Sequence, residues 1–375
     1  MTNDNFRVTP WDVTGKVDYS KLIEQFGTEP ITDELIERIK KHTGNDLHFM
    51  LRRGTFFTHR DMNWLLDEYE KGNPFYLYTG RGPSDHIHIG HLAPWIFTKW
   101  LQDKFDVKLI FQLTDDEKFL FKENLSLEDT HHYAIENALD VIALGFNPDK
   151  TEIIIDTDNA KTLYNAALPI SKKITFSTVK ASFGFDNATN LGQIFYTSIQ
   201  AVPAVLESIR QGKNVPCLIP HGIDQDPHFR VSRDVFPKLG FFKPASIQCR
   251  FLPGLAGEDG KMSASEPKST LFTNDSPKTV KMKIGAAFSG GQPTIEEHRK
   301  LGGNPDIDVS FQWLKILFEP DDKKLAELEA QYRTGYLLSG ELKAYLIKKA
   351  NDFLEIHRAK REKARDQLDK FLLKD

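Results

Sequence analysis

Two short clusters, far apart in the chain, carry the side chains needed to hold a nucleoside triphosphate. The first is Tyr78-Thr79-Gly80-Arg81-Gly82-Pro83, followed by His88-Ile89-Gly90-His91. Glycines let a backbone approach a ligand closely. Gly90 stands where a helix begins, and helix N-termini attract phosphate through free N–H groups and the dipole. His88 and His91 can then donate to phosphate oxygens as charge moves onto them. The second cluster is Lys261-Met262-Ser263-Ala264-Ser265, which follows Gly254, Gly257 and Gly260. Such a loop can close over a ligand, and Lys261 is suited to neutralising a pyrophosphate leaving group. Acting together, the two clusters would activate a carboxylic acid by adenylation with ATP. Taken singly, each has a plainer reading: a glycine-rich turn with two surface histidines, and a solvated loop lysine.

The elements around these clusters form a pattern. From Pro74 onward, short apolar strands alternate with helices. Strands are expected at 75–79, 107–113, 152–156, 215–220 and 245–252, with a helix from Gly90 to Phe105. This predicts an α/β, Rossmann-like domain with a parallel sheet covered on both faces. Ligands of such sheets sit beyond the carboxyl ends of the strands. Tyr78-Thr79-Gly80-Arg81 and Gln112-Leu113-Thr114-Asp115 lie at such ends. Residues from about 157 to 200 interrupt the alternation as a helical, aromatic insertion. Its stretch from Phe176 to Phe195, with Phe183, Phe185 and then Tyr196, reads as core or dimer interface. Before the sheet, residues 8–19 suggest a hairpin, and Thr32 caps an amphipathic helix. Thr58 is expected to cap a second helix. From Pro277 the chain reads as helical, with apolar spacing through Leu342, Leu346, Phe353, Ile356, Leu368 and Leu372. The expected domains are residues 1–73 (arm and helices), 74–275 (catalytic) and 276–375 (helical).

Composition bounds the function. The 375 residues suffice for two or three domains. No apolar run approaches the roughly 20 residues needed to span a bilayer, and the first residues lack the features of a secretory signal. The only cysteines, Cys217 and Cys249, have no metal-ligand spacing, which points to a reducing compartment and the cytoplasm. His131 and His132 are adjacent and cannot share a helix face, which argues against a metal site. A net charge of −4 excludes a globally basic nucleic-acid binder but leaves room for a local basic face.

The two clusters resemble the "HIGH" and "KMSKS" motifs of class I aminoacyl-tRNA synthetases. His88-Ile89-Gly90-His91 matches the first letter for letter, and Lys261-Met262-Ser263-Ala264-Ser265 matches the second except at Ala264. That alanine variant resembles tryptophanyl-tRNA synthetases of the eukaryotic and archaeal kind. The resemblance extends to 48–54, 57–61, 75–84, Thr114-Asp115-Asp116-Glu117-Lys118, Ile223-Asp224-Gln225-Asp226-Pro227 and Phe288-Ser289-Gly290-Gly291. It covers nearly the whole chain.

The resemblance implies a role for each matching position. Tyr78 and Gln112 would meet the indole N–H of tryptophan. Glu117, Gln200 and Gln225 would lie around its ammonium. Arg81, Gly82, His88, Gly90, His91, Gln225, Lys261, Met262, Ser263 and Ser265 would contact ATP, which arrives with Mg2+; His88, His91 and Lys261 would be catalytic. An indole N–H is only a donor, so its pocket needs an acceptor. A buried ammonium needs a carboxylate. Without the family match, Glu117 reads equally as a helix N-terminal charge and Gln200 as an interface amide. Arg358, Lys360, Arg361, Lys363 and Arg365 form a basic cluster, by composition a solvated face and in the family context a tRNA contact. The helical domain would read the anticodon, and the insertion would form a homodimer. Two departures stand out: His221-Gly222 replaces a small nonpolar pair, and Ser84-Asp85-His86-Ile87 is slightly short. Alternatives are a tyrosine-specific synthetase, a small-molecule nucleotidyltransferase and an inactive tRNA-binding relative.

Overall fold

The computed structural model describes residues 7–8, 13–15, 17–262 and 266–375, with the backbone alone at 7–8, 13–14 and 258–261. Its centre is a seven-stranded sheet. The strands are β1 (Glu29–Pro30), β2 (Phe56–Arg60), β3 (Tyr76–Arg81), β4 (Leu109–Leu113), β5 (Thr151–Ile155), β6 (Cys217–Gly222) and β7 (Ala245–Cys249), in spatial order β1-β2-β7-β6-β3-β4-β5. β7, β6, β3, β4 and β5 run parallel, as the alternation of elements requires. Their near-continuous apolar runs are buried because both faces are covered.

β2 is a correction to the sequence reading. Thr58 caps no helix; it lies in a strand antiparallel to β7. Its hydroxyl is buried and bonds the Thr28 hydroxyl and the Glu29 carbonyl, both at 2.7 Å. Phe56 and Phe57 are buried beside it, and this aromatic, β-branched run favours a strand. The helix starts only at Met62, after Asp61 turns the chain at φ 54°. A hairpin forms earlier in the chain than the expected 8–19: Arg7–Val8 pairs antiparallel with Val13–Thr14, and Tyr19 already begins a helix. Thr32 caps the helix Asp33–His42 as expected.

The sheet faces differ. One packs against α1 (Ile89–Phe105) and α3 (Leu127–Ala143) through a core that also takes in Trp313, Leu342, Leu346, Ala350 and Leu354 of the helical region, while α2 (Asp115–Phe121) sends Leu120 and Phe121 into the core of the other face. The other carries Tyr76, Tyr78, Ile110, Ile154 and Ile219 toward the insertion. That insertion is α4 (Ala160–Ser171), α5 (Phe176–Phe183) and α6 (Leu191–Ile199). Phe183 and Phe185 are core, packed with Val179 and Val231. α7 (Asp226–Val235) follows β6, and α8 (Ser339–Ala364) is the long C-terminal helix.

α8 lies along α3, and this contact divides the basic cluster. Arg361 reaches Asp140 at 3.0 Å and Glu136 at 2.6 Å, and Arg365 reaches Glu136 at 3.1 Å. Buried His357 meets Asp140 at 2.8 Å. Arg358 donates to the Asp275 carbonyl at 3.0 Å. Three arginines of the cluster thus link α8 to the chain itself, while Lys360 and Lys363 are exposed.

Candidate active site

The carboxyl ends of β3, β4 and β6 meet at one edge of the sheet, and both halves of the site form there. Gly80 sits opposite Gln112 in register. A Cβ at Gly80 would lie 2.4 Å from the Gln112 carbonyl oxygen, so only glycine lets the strand ends approach this closely.

The phosphate half begins with Arg81. Its guanidinium donates to the Gly82 carbonyl at 3.0 Å, the Ser84 hydroxyl at 2.6 Å and His91 Nδ1 at 3.3 Å. Arginine is only a donor, so His91 Nδ1 accepts and the proton of the neutral ring sits on Nε2, as a donor. Exclusion of water lowers Arg81 to about 10, which leaves it charged at neutral pH. The His88 and His91 rings stack with centroids 3.6 Å apart. Among the described residues, no side chain caps α1, whose first residue is Ile89.

The second cluster lies against the first. Ile89 N–H donates to the Leu271 carbonyl at 3.0 Å, and His88 pairs with Phe272. A Cβ at Gly90 would lie 3.7 Å from Met262 Cβ, so buried Met262 covers the helix start. Lys261 ends the strand Gly257–Lys261; its side chain, Ser263 and Ser265 lie outside the described residues.

The other half is a buried polar cluster. Tyr78 Oη lies 2.6 Å from Gln112 Oε1 and 2.8 Å from the Gln200 carbonyl, to either of which it donates its one proton. Its lone pairs and the second lone pair of Gln112 Oε1 remain as acceptors. Burial pushes the Tyr78 hydroxyl well above its ordinary range, so it stays neutral. Gln200 Oε1 is buried with no hydrogen-bond partner among the described residues. A buried acceptor left unpaired costs about 1–3 kcal/mol. Phe229 meets the Tyr78 ring edge-on at 5.9 Å.

Glu117 lies between the halves. Its Oε2 accepts from the Thr114 hydroxyl at 2.6 Å and would be 2.9 Å from a Cβ at Gly82. Gly82 therefore admits the carboxylate to the edge of the phosphate half. Gln225 follows β6 in the short turn Ile223–Gln225 and donates to Asp224 at 3.2 Å. The structure thus brings Tyr78, Gly80, Arg81, Gly82, Gln112 and Glu117 together across two adjacent strand ends.

Other site residues were not singled out from the sequence. Lys118, beside Arg81 and Glu117, is lowered to about 8 by burial, with the Arg81 charge adding to the shift. Both carboxyl oxygens of Asp156 accept from the Gln112 amide nitrogen. It directly follows an apolar strand, as Gln112-Leu113-Thr114 ends one, and that position was the available signal. Asn137 of α3 clasps the Ser84 backbone, accepting from its N–H at 3.1 Å and donating to its carbonyl at 2.8 Å, which orders this loop. His221 is absorbed as pocket wall: buried, kept neutral by burial, and packed on Phe229 at 4.7 Å.

A parallel sheet with a histidine-glycine-histidine helix start and a covering lysine strand at its carboxyl edge is the architecture of class I aminoacyl-tRNA synthetases. The family model described as "tRNA synthetases class I (W and Y)" matches residues 70–355. The chain belongs to that family. It is 55% identical over 368 residues to a tryptophan–tRNA ligase of Sulfurisphaera tokodaii, covering 98% of this chain and 95% of that protein. A product-bound parasite tRNA synthetase superposes with a TM-score of 0.91 at 44% identity, covering 95% of this chain and 96% of the other. Tryptophanyl-tRNA synthetase of Plasmodium falciparum does so at 0.89 and 43%, covering 95% and 97%.

Proposed function

We infer that this chain is a tryptophan–tRNA ligase. It activates L-tryptophan with ATP and transfers it to the 3′-terminal ribose of the cognate tRNA. One observation carries the reading: buried acceptors suited to an indole N–H, on Tyr78 and Gln112, share a strand edge with the phosphate-binding turn. The identity to named tryptophan–tRNA ligases over nearly the whole chain supports it.

The tryptophan carboxylate oxygen attacks the α-phosphorus of ATP, and pyrophosphate leaves. The protein positions the reactants and stabilises charge, with no side-chain nucleophile. The start of α1, with Gly90, Arg81, Gly82, His88 and His91, receives the phosphates. Gln225, Lys261, Met262, Ser263 and Ser265 complete the ATP contacts, and Lys261 meets the charge that develops on pyrophosphate. Magnesium enters with the ATP phosphates as part of the substrate. Among the described residues, no cluster of three His, Cys, Asp or Glu side chains is placed to hold a metal. Glu117, Gln200 and Gln225 receive the ammonium. The tRNA ribose hydroxyl then attacks the adenylate carbonyl and releases AMP. A pocket built on a hydrogen bond rejects analogues that lack it by about 10⁴–10⁵, so no second, editing site is needed.

The helical region from about residue 276 reads the anticodon. Lys360 and Lys363 are the members of its basic cluster open to tRNA, because Arg358, Arg361 and Arg365 are engaged within the chain. Tyr164, Leu168, Phe176 and Leu191 of the insertion are exposed, which supports a homodimer through that face. No helix among the described residues is long and apolar enough to cross a membrane, consistent with a cytoplasmic enzyme. Amino-acid-dependent ATP–pyrophosphate exchange tests the reading. Exchange with tryptophan is expected. Exchange with tyrosine alone would establish the tyrosine alternative, and tRNA binding without exchange would establish the inactive one.

A further inference from the structure

The amide of Gln112 is useful to an indole N–H only if its oxygen faces the pocket. Rotated by half a turn, the same side chain presents an NH₂ group, which repels a donor. Something must therefore hold the amide one way round, and Tyr78 alone does not, because a hydroxyl can donate or accept. Behind Gln112 stands Asp156, buried at the end of β5. Gln112 Nε2 donates to Asp156 Oδ1 at 2.9 Å and Oδ2 at 3.0 Å.

Asp156 stands beside Asp116 of α2, near enough for the two carboxyl groups to act on each other. Two adjacent carboxyl groups cannot both ionise easily, so they share a proton. Where that proton points decides the orientation of Gln112. While it lies between the two carboxyls, both Asp156 oxygens face Gln112 as acceptors. Turned toward Gln112, it would be a donor and would stabilise the reversed amide. The pair is fixed from its far sides. Asp116 Oδ1 accepts from Glu117 N–H at 2.7 Å. Asp156 N–H donates to the Leu113 carbonyl at 3.2 Å. Asp115 clamps the next residue through the Thr157 N–H at 3.1 Å and hydroxyl at 2.5 Å.

We propose that the carboxyl pair Asp116 and Asp156 positions the Gln112 amide and thereby sets the pocket's requirement for a substrate N–H. Asp156 is a positioning residue, acting through Gln112, and the proposal rests on the tryptophan reading above. The titratable groups whose charge reaches the pair are Asp115 and Glu117 on α2, Tyr78 on β3 and Tyr196 on α6. All are acids. Asp116 is raised to about 6, chiefly by burial. As pH falls through that value Asp116 gains a proton, ceases to be the obligatory acceptor, and frees the Asp156 proton to turn toward Gln112.

The test is pyrophosphate exchange with the full chain, using tryptophan and its benzothienyl analogue, in which sulfur replaces the indole N–H. In the wild type, KM for tryptophan is expected to rise below about pH 6 relative to KM for the analogue. Asp156→Ala, which removes the acceptors, should raise KM for tryptophan about tenfold with a smaller change in kcat, and shrink the preference over the analogue by a similar factor. Asp156→Asn keeps an acceptor for Gln112 and a fixed donor for Asp116. It should retain the preference and move the acid limb to lower pH. Unchanged discrimination in a folded Asp156→Ala overturns the proposal. So does an acid limb shared equally by both substrates in the wild type, a result that does not depend on any variant folding. Absence of tryptophan exchange in the wild type would instead refute the functional reading.

Discussion

The two halves of the site are built by different rules. The phosphate half is local: Arg81 to His91 runs through one turn into the start of α1, and the chemistry sits in consecutive backbone N–H groups and side chains. The amino-acid half is assembled from separate strand ends. Tyr78, Gln112 and Asp156 come from β3, β4 and the residue after β5, with Gln200 from the end of the insertion. Charge recognition tolerates local construction, because a dipole and a few cations suffice for phosphate. Recognition of a single N–H needs a dry, fully paired pocket, which only packed elements provide.

The contrast can be broken at either half. The largest effect is expected from Lys261→Ala, which should slow adenylate formation about 10²–10³-fold while tryptophan binding changes little; stopped-flow adenylation against equilibrium binding separates these. Equal losses in both would place Lys261 in ground-state binding. Gln112→Leu should act in the opposite way. It should raise KM for tryptophan by about 10–100-fold, the cost of leaving a buried donor unpaired, and alter KM for ATP little.

A smaller effect concerns pH. Lys118 is lowered to about 8, so it is charged below that value and neutral above it. If its charge serves the phosphates, KM for ATP should rise as pH passes above about 8, and Lys118→Met should abolish that limb in pyrophosphate-exchange profiles. The smallest effect is expected at the tRNA face. Lys360→Ala with Lys363→Ala should weaken tRNA binding a few-fold and flatten its salt dependence, with exchange unchanged. Arg361→Ala should instead lower thermal stability, because it removes the cation that bridges Asp140 and Glu136, leaving Asp140 with His357 and Glu136 with Arg365.

Legibility followed the same division. The glycine turn, the capped helix at Thr32 and the strand-helix alternation each depend on neighbours within a few residues, and the structure has them. Thr58 reads as a cap because a hydroxyl before an acidic residue resembles one, whereas its burial against Thr28 and Glu29 is a long-range fact. Arg361 and Arg365 read as part of a free basic face because their acidic partners, Glu136 and Asp140, lie more than 200 residues earlier.

The sequence by itself determined the reaction class. A histidine-glycine-histidine turn and a lysine cluster are contiguous chemistry, and phosphate binding needs little beyond them. Tertiary structure decided how the two clusters meet, with Met262 over Gly90, and which basic residues remain exposed. It also decided which way the Gln112 amide is held. Those outcomes depend on burial and on partners from distant strands, and a buried polar group is defined by what the fold packs around it.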